Sequence, residues 1–149
     1  MTLLVQVAST WAMTGIIWLV QLVQYPSFTN VDTDSFEAFH AQHSAAISVI
    51  VLPLMIVEAL SAFAFLWMPL RAQSPWQIWL GIGLILIIWA STFLLQVPAH
   101  NRLSSGFDED SWRMLVRSNW LRTLAWTARA ALVSYWLFET LELGARVGV

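Results

Sequence analysis

Apolar positions in this chain fall into four long runs, near residues 2–23, 44–68, 76–97 and 119–138, separated by short polar connections. Each run reaches the ~20 residues that a helix needs to cross ~30 Å of hydrocarbon. The pattern predicts an all-α fold, a four-transmembrane-helix antiparallel bundle with helices over about 2–25, 34–68, 75–97 and 110–141. Residues 1–149 read as one integral membrane domain, without repeats or low-complexity stretches. The first run has no positively charged leader and no small-residue cleavage site before the polar stretch, so it reads as a retained span. Asp34-Ser35-Phe36-Glu37 resembles a capping box and places the start of the second helix at Asp34, well before its apolar run. From Asp34 to Met68 that helix would be ~50 Å long, so its first turns should emerge from the bilayer. Pro53 is expected to bend it.

Composition strengthens the membrane assignment. Hydrophobic residues make up 58% of the chain and charged residues 11%, a balance that would leave a soluble domain of this size prone to aggregation. All seven basic residues are Arg, and without cysteine neither disulfides nor thiolate metal sites are available. A net charge of −2 and the lack of a basic stripe exclude a nucleic-acid partner. The lipid bilayer is the expected partner, and a homo-oligomer or a larger membrane complex is compatible with the pattern. Five of the ten tryptophans read as aromatic belts: Trp67, Trp76, Trp79 and Trp136 at one interface and Trp112 at the other. Trp11, Trp18, Trp89 and Trp126 lie deeper, either packing helices or lining a pocket for a flat apolar ligand.

Four crossings put both termini and the second connection on one side. Arg71 and Arg146 lie on that side and the first connection carries no Arg, which favours cytoplasmic termini in a bacterial inner membrane; Arg102 and Arg113 weigh against it. Whatever the orientation, the first and third connections share a side. His40 and His43, spaced i, i+3 on the second helix, therefore meet the same surface as His100, placed where the third helix leaves the membrane. Three imidazoles at one boundary suit a single transition metal (Cu, Zn or Fe) with an open position; haem fits less well, because two ligands on one helix cannot take opposite faces of a porphyrin. The alternatives are histidines bonded to connection backbones, or proton-active imidazoles without metal.

Glu58 and Arg129 fall inside apolar runs, where an unpaired charge is expensive. Glu58 lies fifteen residues beyond His43, about 22 Å deeper along the helix, and Arg129 reaches the same half of the bilayer from the fourth helix. The pair is expected to form a buried salt bridge, either as a structural staple or as part of a proton or anion path that includes Arg122. Polar side chains gather at the histidine end: Gln21 and Tyr25 from the first helix, Gln96 from the third, and Arg113, Asn119, Trp120 and Arg122 from the fourth. Convergent polar groups at one end of an apolar bundle are a candidate pocket, with interfacial hydration of helix ends as the plainer explanation.

Gln24-Tyr25-Pro26, Phe39-His40-x-x-His43, Pro53 to Glu58, Gln96-Val97-Pro98-x-His100-Asn101 and Asn119-Trp120-x-Arg122-Thr123 resemble stretches of uncharacterised bacterial four-helix membrane proteins. That group is similar, more loosely, to a broad family containing the anthrone oxygenases. The resemblance implies oxidation or oxygenation of a lipophilic aromatic compound at the membrane, without assigning residues to the chemistry. Two function classes follow. In one, the protein is a membrane oxidoreductase or oxygenase for an aromatic or quinone-like substrate. His40, His43 and His100 then hold metal or move protons, Arg113 and Arg122 neutralise an anionic intermediate, and tryptophans stack on the substrate. In the other it is a non-enzymatic carrier or accessory subunit.

Overall fold

A computed structural model describes residues 1–71 and 73–147, and among them the chain is helical with no strand. Helix α1 (Thr2–Leu19) runs on through a π-helical turn at Val20–Gln24 into a 3-10 segment at Pro26–Asn30. Helix α2 covers Thr33–Ala64. Helix α3 (Pro75–Ser91) passes through a second π-helical turn at Thr92–Gln96 into the short α4 (Val97–Leu103). Helix α5 covers Glu109–Val147. Three rods, Thr2–Asn30, Thr33–Ala64 and Pro75–Leu103, are long and apolar enough to cross a membrane. The α5 rod is the longest but falls outside that criterion, since Arg122 and Arg129 interrupt its apolar stretch.

Several boundaries differ from those the sequence suggests. Helix α2 starts at Thr33, with Asp32 as the capping position and no side-chain cap bond, so Asp34 and Glu37 belong to its opening turns. The preceding 3-10 segment and the extended Val31 place the cap two residues earlier than the Asp34 of the capping pattern. The helix runs unbroken through Pro53 and ends at Ala64, short of Met68. Its last turn tightens, with Leu66 and Trp67 N–H bonded three residues back, ahead of Pro69, which disfavours a helical preceding residue. The third rod, by contrast, continues past Gln96 and Pro98 to Leu103, because the π-helical turn widens the coil and leaves proline near the start of α4. His100 therefore stands on a helix and not in a connection.

Helix α1 packs against α2 and α5, and α3 packs against α5. Three apolar clusters stack along the rods. Phe28, Phe36, Leu103 and Leu115 fill one end; Met13, Ile17, Met55, Ile88 and Trp126 the middle; Leu3, Phe65, Ile82, Val133 and Trp136 the other end. Trp136 is thus a core residue, 2% exposed and donating to Gln77 Oε1 at 3.3 Å, and not part of an interfacial belt. Trp67, Trp76 and Trp79 are exposed.

Apolar packing alone distinguishes poorly between helix–helix and helix–lipid contact, so polar contacts between rods carry much of the specificity. One such centre surrounds Glu58 and Arg129, both essentially without exposed surface. Arg129 Nη2 pairs with Glu58 Oε1, and Arg129 Nη1 donates to the Gly81 carbonyl at 2.6 Å. Gln6 Nε2 donates to Glu58 Oε1 at 2.8 Å, Thr10 Oγ1 donates to the same oxygen at 3.4 Å, and Ser61 Oγ donates to Gln6 Oε1 at 2.7 Å. Four helices meet there. The close approach suits Gly81, because a Cβ on it would stand 3.2 Å from Arg129 Nη1 and the guanidinium would have to shift by a few tenths of an ångström.

Removing one member of a buried pair leaves the other charge stranded. Glu58→Gln should cost ~3 kcal/mol of unfolding free energy in detergent micelles, and the double variant with Arg129→Gln should lose less than the sum of the singles. Additive losses would show that the two side chains do not depend on one another.

Candidate functional site

At the end of the bundle opposite Glu58, the sequence brings four rods around a group of rings. Tyr25 follows the π-helical turn of α1, His40 and His43 lie on the first turns of α2, and His100 lies on α4. The three imidazoles are neighbours: ring centroids of His40 and His100 are 5.2 Å apart, and those of His43 and His100 are 6.1 Å apart. His40 Nε2 is hydrogen-bonded to His100 Nδ1 at 3.0 Å, and His100 Nε2 to the Tyr25 hydroxyl at 3.2 Å. Tyr25, His100 and His40 therefore form one hydrogen-bonded chain. Phe36 stacks on His40, Phe39 stacks on His43, and Phe28 meets both imidazoles edge-on, so the chain is sheathed in aromatic rings. Two nitrogens of the cluster, His40 Nδ1 and His43 Nε2, are buried without a partner.

Three imidazoles are a suitable donor set for Cu, Zn or Fe, but ligation requires their in-plane lone pairs to meet at one point. His40 and His100 already aim a nitrogen at each other, whereas His43 lies stacked over His100 with its plane inclined by only 25°. Among the described residues no three His, Cys, Asp or Glu side chains are arranged to hold a metal ion. The cluster as it stands is a hydrogen-bonded chain of rings from the first, second and third rods.

Beside this chain lies a cavity of about 360 Å³ between α1, α2, α5 and the α3–α4 rod. Its walls are apolar along most of their length, among them Met13, Ile17, Val51, Met55 and Trp89. One end is polar, formed by Tyr25, Gln96, His100, Asn101 and Arg122. This is the mixture typical of small-molecule sites: apolar bulk with a few directed polar groups. The Arg122 guanidinium sits beside the Tyr25 hydroxyl. Behind it, Arg122 Nη1 donates to Asn119 Oδ1 at 3.3 Å, and Asn119 Nδ2 donates to Gln21 Oε1 at 3.0 Å. Gln21 Nε2 in turn donates to the Val116 carbonyl at 3.2 Å, tying α1 to α5. Gln96 is braced the same way, donating to Ser118 Oγ at 2.9 Å.

Gln21 and Gln96 both occupy π-helical turns, a local feature that often accompanies function, and both are almost fully buried. Not every candidate joins them. Arg113 is exposed and pairs with Glu109 one turn away, and Trp120 is 40% exposed, packing edge-on against Trp18. Neither lines the cavity. His43 faces a separate groove between α1 and α2. Glu58 and Arg129 form their own centre, apart from the ring cluster. Asn101 and Trp89 do line the cavity, although sequence reasoning did not place Asn101 there; the signal was its position one residue beyond His100.

Comparison with known proteins adds no relative: no family model, no curated protein and no solved structure matches this chain.

Proposed function

We propose that this protein is an integral membrane oxidoreductase or oxygenase acting on a lipophilic aromatic or quinone-like molecule. The observation that carries the reading is the meeting of a cation, a phenol and an imidazole at the polar end of an otherwise apolar cavity, with a second imidazole behind the first. All four rods would cross the bilayer as an antiparallel bundle. Residue pairs support this arrangement: Trp11 bonds Ser134 and Gln21 bonds Val116, numbers rising in α1 as they fall in α5. The arginines of α5 would be tolerated because Arg122 and Arg129 point inward, while Leu121, Leu124 and Phe138 face outward.

The substrate's ring system occupies the apolar length of the cavity, and an oxygen of the ring faces Tyr25 and His100. Removing a proton from a phenolic O–H or an acidic C–H leaves negative charge on that oxygen. The fixed positive charge of Arg122 stabilises it, an effect that is strong where water is excluded. His100 accepts the proton, directly or through the Tyr25 hydroxyl, and releases one from its other nitrogen to His40. For a hydroquinone, two protons and two electrons leave together as the quinone forms. Dioxygen or a second quinone takes the electrons, and the relay carries the protons.

Tyr25→Phe breaks the relay without emptying the cavity. Oxidation of an alkylated hydroquinone, followed as oxygen uptake in nanodiscs, should fall about 10²-fold in Tyr25→Phe and in His100→Ala, with hydroquinone binding retained. Absence of both binding and turnover across a panel of lipophilic aromatics would favour a carrier or accessory subunit instead. Elemental analysis should find the purified protein metal-free; stoichiometric Cu, Zn or Fe that disappears in His100→Ala would replace the relay with a metal centre. With both termini cytoplasmic, cysteines introduced at Asn30 and Ser105 should both be labelled from outside intact cells. Labelling of one alone would break the four-crossing arrangement.

A further inference from the structure

The two buried arginines of α5 lie seven residues apart on one face and differ in their company. Arg129 has a carboxylate, Glu58, against its guanidinium. Arg122, 6% exposed, has none: the salt bridges among the described residues are Arg113–Glu109, Arg129–Glu58 and Arg146–Glu142. Its neighbours are uncharged groups, the Asn119 amide and the Tyr25 hydroxyl, with His100 on the same cavity wall. Its Nε is buried without a partner, as is that of Arg129, so the two arginines differ in the carboxylate and not in this donor. A buried guanidinium without a counter-charge is costly, more so in an apolar bundle, unless an anion completes it. The chain supplies that anion at Arg129 and withholds it at Arg122, the arginine that borders the cavity.

The cavity also indicates where an occupant enters. Leu52 and Phe93 line it and are 50% and 57% exposed, so it opens sideways between α2 and the α3–α4 rod, through an apolar rim. A small hydrated ion is disfavoured at such an opening, whereas an amphiphile moving in the bilayer meets it directly.

We propose that the resident ligand carries its own oxyanion, a carboxylate or phosphate on an apolar body, and that this group pairs with Arg122 at the polar end of the cavity. The inference rests on the pocket reading above and deepens it: the lipophilic substrate is an acid, held by its charge while its ring lies along the walls. A fork of guanidinium donors suits a carboxylate or phosphate better than a neutral carbonyl. A free lipophilic acid and an anionic lipid of the bilayer share this chemistry.

The test compares 6-octyl-2-naphthoic acid with its methyl ester, by probe fluorescence, in phosphatidylcholine nanodiscs with and without the protein. The acid should bind at least tenfold more tightly than the ester. Arg122→Gln should bring the acid down to the ester's level, Arg122→Lys should keep most of the preference, and Met55→Trp, which fills the cavity, should abolish binding of both. Displacement of the acid by dioleoyl phosphatidic acid would identify an anionic lipid as the source; resistance to it would identify a free acid. Equal binding of acid and ester, lost in Met55→Trp, would overturn the anion inference and leave the pocket standing. Binding unaffected by Met55→Trp would overturn both. The wild-type comparison needs no variant and so stands even if Arg122→Gln fails to fold.

Discussion

The contact between Glu58 and Arg129 is the constraint on which the arrangement of the rods depends. Helices surrounded by apolar side chains can slide and rotate past one another at little cost, since one apolar contact replaces another. A carboxylate and a guanidinium buried among them cannot, because separating the two strands a charge. Gln6 and Thr10 bring α1 to the pair, Ser61 adds a second bond from α2, and the Gly81 carbonyl brings α3. The register of four helices is thereby set at one level, and the opposite end of each rod is positioned by its length from that level.

That opposite end is built on a different plan. Instead of charge meeting charge, amides brace a cation from behind: Gln21 holds Asn119, and Asn119 holds Arg122. The bracing groups are neutral, so the guanidinium keeps its charge available on the cavity side. Tyr25 and His100 stand next to it with their own second partner, His40, inside a sleeve of phenylalanine rings. One centre is closed and structural; the other has free donors and an opening.

Much of this was legible before any coordinates. Hydropathy alone marks the apolar runs, because a helix in lipid must hide its backbone behind roughly 20 apolar residues. Parity of crossings is enough to gather His40, His43 and His100 at one end, and depth counted at 1.5 Å per residue sets Glu58 level with Arg129. What stayed hidden depends on angle and not on depth. Arg113 and Arg122 enter the same segment, yet one turns outward to Glu109 and the other inward to the cavity. Trp136 reads as an interfacial ring by depth but points into the core. The α2 start, its early end and the passage of α3–α4 through Pro98 depend on local backbone geometry, which side-chain pattern reflects only weakly. The same limit applies to α5, whose inward arginines lower its mean hydropathy although its outward face is apolar.

The two widened turns at Val20–Gln24 and Thr92–Gln96 set the bearing of the ring cluster independently of the rods below them. A π-helical turn accommodates one residue more than an ordinary turn, so everything beyond it is rotated by about 100° relative to the uninterrupted helix. Beyond the first lies Tyr25, and beyond the second lies His100. Removing one residue from either turn would therefore swing the phenol or the imidazole off its present bearing, while the Glu58 level beneath stays untouched. The geometry at one end of this scaffold is thus separable from the anchor at the other.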